Sequence, residues 1–108
     1  MENNTDILLP ENVTVVENSV FARIATWYMR TGAVALVWDR QILLWGVDTA
    51  TFLKSRRWVR HELKHVEQYN RLGKWIFLKE YLTEWVLKGY KNNRFEVEAR
   101  QAERASFS

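Results

Sequence analysis

The chain has 108 residues, which is room for one domain and too little for a cleft between two lobes. It is 47% hydrophobic and 27% charged and holds no cysteine, which excludes a disulfide framework, a thiolate metal site and a cysteine nucleophile. A net charge of +3 permits contact with nucleic acid or anionic lipid without demanding it.

Residues 1–12 read as a flexible leader ending in Leu8-Leu9-Pro10. Their polar, acidic start lacks the basic and apolar regions of a signal peptide. No apolar run approaches the ~18 residues that span a bilayer, so no membrane span is expected. The expected compartment is the cytoplasm, with export lacking a cleaved signal left open.

Val13–Val16 is short and β-branched and predicts a strand. Val20–Met29 has apolar residues at 20, 22, 24, 27 and 29, mostly alternating, and also reads as strand. Thr31-Gly32 signals a turn. Ala33–Trp38 and Gln41–Trp45 then form two strands of a hairpin turned by Asp39-Arg40. After Gly46 the composition shifts to helix formers, with Asp48 or Ser55 as N-cap. One helix spans Ser55–Leu72 and stops at Gly73. A second runs from Lys74 to Lys88 and ends at Gly89. A third covers Phe95–Arg104, and 105–108 form a frayed tail. Strands before helices predict an α+β fold: a small antiparallel or mixed N-terminal sheet, then three helices, in one domain over residues 13–104. The six Trp sit at hydrophobic positions, which suits a core better than base stacking, so nucleic acid is not an expected partner. Lys54, Arg56, Arg57 and Arg60 read as a solvated helix face.

Both histidines lie in His61-Glu62-Leu63-Lys64-His65, an H-E-x-x-H run on a predicted helix. At 3.6 residues per turn, His61 and His65 project from one face and can meet one Zn2+. Glu62, turned about 100° from His61, stands beside the metal, placed to activate a zinc-bound water rather than to ligate. His61, Glu62, His65, Tyr69 and Leu72 share one face, while Val59, Leu63 and Val66 form a core stripe. A catalytic zinc site takes three protein ligands. With no histidine or cysteine left, the third is a carboxylate: Glu96 is the first choice and Glu98 the second. Asn93-x-x-Glu96 also fits a capping box, in which Glu96 would serve the backbone instead.

His61-Glu62-x-x-His65, a helical spacer and Glu96-x-x-Ala99 together resemble the gluzincin zinc metallopeptidases, whose third ligand is a Glu on a later helix. Arg60–Gln68, Gly73, Tyr81 and Tyr90-x-Asn-Asn-x-Phe-Glu-Val-Glu-Ala99 look like small bacterial zincin-like domains, over roughly residues 33–104. The resemblance implies a minimal zincin-like fold and a peptidase acting on peptide or protein. It also implies a strand edge beside the metal helix that pairs with substrate, formed by Ala33, Val34, Ala35 and Leu36 or by Gln41–Trp45. Tyr90 or Tyr69 would donate to the oxyanion. Arg100 departs from the family, since many gluzincins carry there an Asp that supports a ligand histidine. So small a chain also lacks most walls of a cleft. That leaves room for a zinc-bearing structural or interaction module without turnover, or for a wall supplied by a partner protein or a second copy.

Overall fold

A computed structural model describes residues 9–104. In chain order the elements are β1 (Thr14–Val16), α1 (Val20–Met29), β2 (Val34–Trp38), β3 (Gln41–Trp45), α2 (Thr49–Lys54), α3 (Arg56–Leu72), α4 (Lys74–Asn92) and α5 (Arg94–Glu103). The α+β class is the observed one. The expected leader and tail lie mostly outside the described residues. Of the leader, residues 9–12 are described, and Leu9 packs against the core.

The sheet order is β1-β3-β2. β1 runs parallel to β3, and β2 runs antiparallel to it from Val34↔Trp45 to Trp38↔Gln41. The two-residue turn Asp39-Arg40 closes the hairpin, with Asp39 in the left-handed region at φ 57°. β2 is therefore an edge strand. Its register sends the peptide groups of Ala35 and Val37 away from β3, toward the open edge. Gly46 fixes the hairpin's other end. A Cβ there would lie 2.1 Å from the Gly32 carbonyl oxygen, and its φ is 82°, so glycine alone fits.

Val20–Met29 is a helix, which corrects the expected strand. Ser19 Oγ accepts from the Ala22 amide at 3.3 Å, and Arg30 ends the helix in a left-handed conformation. Ala22 and Thr26, one turn apart, are its buried residues. The alternation at 20, 22 and 24 suggested strand, but the larger side chains at 20, 24, 27 and 28 repeat at helical spacing.

The later caps match the sequence closely. Asp48 caps α2 through the Thr51 amide at 2.8 Å, and Ser55 caps α3 through the Trp58 amide at 3.3 Å. Gly73 separates α3 from α4 at φ 87°. Gly89, at φ 81°, interrupts α4 where the sequence placed its end, and a further turn reaches Asn92.

Two apolar clusters hold the elements together. Val13, Ile42, Leu44, Phe52, Val59 and Val66 join the sheet to α2 and α3. Tyr69, Phe77 and Phe95 join α3, α4 and α5. Each fully buried side chain of this size contributes about 1.5–3 kcal/mol. The expectation for tryptophan is corrected: none of the six is among the buried core residues, and Trp27 and Trp75 are exposed.

Candidate metal centre

α3 presents His61, Glu62 and His65 toward α5, and α5 presents Glu96 back. His61 Nε2 lies 3.0 Å from Glu96 Oε1, and His65 Nε2 lies 3.2 Å from Glu96 Oε2. Ligand atoms of the three residues all fall within 4.8 Å of one another. A tetrahedral site with bonds of ~2.0–2.2 Å has ligand–ligand edges of about 3.4 Å. The spacing fits such a site, and two imidazole nitrogens with one carboxylate form a donor set suited to first-row divalent metals.

The far sides of both rings are held. His61 Nδ1 lies 2.6 Å from Glu103 Oε2. A carboxylate only accepts, so His61 Nδ1 is the donor. His65 Nδ1 lies 2.8 Å from Gln68 Oε1. Gln68 spends its amide protons on the Phe95 carbonyl at 3.1 Å and Glu98 at 2.7 Å, so its oxygen must face His65 and His65 Nδ1 must donate. In both rings Nε2 then faces Glu96, which as a carboxylate accepts from it, and a metal bound there would take the place of the Nε2 proton. Tyr81 completes the centre by donating to Glu96 Oε2 at 2.6 Å. Such outer partners orient ligands and tune their basicity.

The electrostatics follow. Burial alone lowers a histidine pKa, but Glu96 and Glu103 outweigh it at His61, and Glu96 with Glu62 outweighs it at His65, so both are raised. Burial works the other way on Glu96, yet hydrogen bonds from His61 and His65 hold it well below the usual carboxylate range. Burial pushes Glu62 up to about 8, the charge of His65 pulling down and that of Glu96 pushing up, and a hydrogen bond with Trp58 lowers it only in part.

Glu62 lines a cavity of about 800 Å3 together with His61, His65 and Glu96. Val34, Ala35 and Leu36 of the β2 edge border the same cavity, and Ala33 borders a smaller one that also touches His61 and Glu62. The expected edge therefore lies beside the expected metal helix. Tyr90 lines both cavities, its hydroxyl pKa raised first by burial and then by the charge of Glu96.

Other expectations resolve differently. Glu98 stands apart, held by Gln68 and 3.7 Å from Arg71. Asn93 caps α5 through the Phe95 amide at 2.9 Å, so the cap exists while Glu96 points to the histidines. Tyr69 donates to the Val37 carbonyl at 3.2 Å and is committed to holding β2 against α3. Arg100 turns away and donates to the Lys91 carbonyl.

Glu103, Gln68 and Tyr81 were not among the expected site residues. Glu103 follows Glu96 by seven residues, two turns along one helix face, and Gln68 follows His65 by three. Those spacings were the available signal for both. Tyr81 stood among the residues of the resemblance but without a role, since only the packing of α4 on α5 brings it to Glu96.

Set against protein-family models, curated proteins and solved structures, the chain matches none. The likeness to gluzincins rests on the residues named above.

Proposed function

We propose that the protein is a zinc-dependent hydrolase, most simply a peptidase, with His61, His65 and Glu96 as ligands and Glu62 as general base. One observation carries this reading: two histidine nitrogens, each on a ring anchored through Nδ1, converge on one buried carboxylate, with a second, otherwise costly carboxylate beside them in the cavity wall. Zinc bound there would supply Lewis acidity, polarising a carbonyl and lowering the pKa of water toward ~7.

The chain's own groups divide the remaining work. Glu62 takes the proton of the attacking water and passes it to the leaving amine. Burial raises this carboxyl, so it holds the transferred proton well, and the charge of a bound metal would draw it down so that it starts ionised. The free peptide groups of Ala35 on β2 pair with the main chain of an extended substrate. Tyr90, kept protonated by its raised pKa, donates to the developing oxyanion. Glu103 and Gln68 act as positioning residues for the imidazoles.

A second reading, a metal-binding structural or interaction module without turnover, draws on a different fact. Glu96 and Glu103 of α5 both clasp His61 of α3, as a structural cross-link would. Glu62→Gln separates the two. Zinc content unchanged beside lost hydrolysis of a peptide library supports the hydrolase; full activity in the variant, or none in the wild type, supports the module.

A further inference from the structure

α1 is amphipathic with its sides reversed. It buries the small residues Ala22 and Thr26 and exposes Phe21, Ile24, Trp27 and Tyr28. α4 also exposes large apolar side chains, over a longer span. Trp75, Ile76, Leu82, Val86 and Leu87 are exposed at helical spacing, while Phe77 is buried. Trp27 is 82% exposed and Val86 is 85% exposed. The two helices meet where Tyr28 packs edge-on against Trp85 at 5.9 Å, and both line the large cavity. A monomer seldom shows so much apolar surface without a use for it.

Charge narrows the occupant. α1 contains no carboxylate, and those of α4, Glu80 and Glu84, are both held by Arg94 of α5. Arg23 and Arg30 border the α1 stripe, and Lys79 falls within the α4 stripe. A second copy docked on the same face would set these cations against each other. An anionic surface would pair with them. Trp and Tyr favour the boundary between headgroups and acyl chains, and the face carries Trp27, Tyr28 and Trp75. Among the described residues no helix is long and apolar enough to cross a membrane.

We infer that the outward faces of α1 and α4 dock the protein onto an anionic lipid surface, placing the mouth of the large cavity at the membrane interface. The inference does not depend on a metal in the α3–α5 centre. Its test is co-flotation of the full chain, with and without chelator, on vesicles of phosphatidylcholine alone or mixed equally with phosphatidylglycerol. The expected result is binding at least about tenfold tighter to the mixed vesicles, weakened by salt and accompanied by a blue shift of tryptophan emission. Chelator leaves it unchanged. Trp27→Glu combined with Val86→Glu lowers it about tenfold or more with an unaltered circular dichroism spectrum. Lack of preference for the anionic vesicles overturns the proposal. So does wild-type binding by the double variant, or a lipid-free dimer in sedimentation that the double variant dissolves.

Discussion

The contact between α3 and α5 and the outer faces of α1 and α4 obey opposite rules. Between α3 and α5, buried polar groups pair with one another: Glu96 takes donors from two histidines and Tyr81, and Gln68 bridges three groups. On α1 and α4, large apolar groups face solvent, and on α1 only small residues are buried. Buried polarity is costly unless fully satisfied. Exposed apolar surface is costly unless something covers it. Both costs point to sites of action, one chemical and one adhesive.

The contrast can be broken from either side. The largest effect falls on the centre. Zinc at a hundred times its Kd stabilises the folded chain by about 2.7 kcal/mol, and Glu96→Ala removes that increment in urea titrations with and without the metal. Gln68→Ala follows at about 1–3 kcal/mol even without metal, because His65 and the Phe95 carbonyl lose a buried partner. Glu103→Ala leaves the three ligands in place and weakens zinc affinity by about 10- to 100-fold, read by competition with a chromophoric chelator. The outer faces respond least: Trp27→Ser and Val86→Ser shift unfolding free energy by no more than about 0.5 kcal/mol. A loss near 2 kcal/mol at either position would show that the face is packed rather than open, and would end the contrast.

The centre was the more legible region. The i, i+4 histidines, the core stripe Val59–Leu63–Val66 and the caps Asp48, Ser55 and Gly73 are local patterns, and local patterns survive folding. The lack of further histidine or cysteine left a carboxylate, and the last helix offered Glu96 first and Glu98 second, the resemblance to gluzincins favouring Glu96. Glu103 and Tyr81 were not found, because each meets its partner only across packed helices. The outer faces were misread for a single reason. A sequence shows that Val20–Met29 and the tryptophans are apolar, and the usual inference turns apolar residues inward. α1 turns them outward, so its helix was taken for a strand and Trp27 for core.

The account stands most directly on whether one metal ion sits among His61, His65 and Glu96. Anomalous X-ray scattering at the zinc edge, on crystals of protein supplied with zinc, reads this in one step. The predicted result is a single strong peak per chain, bonded to His61 Nε2, His65 Nε2 and Glu96 at ~2.0–2.2 Å. No peak there, or a peak held by other residues, would contradict it.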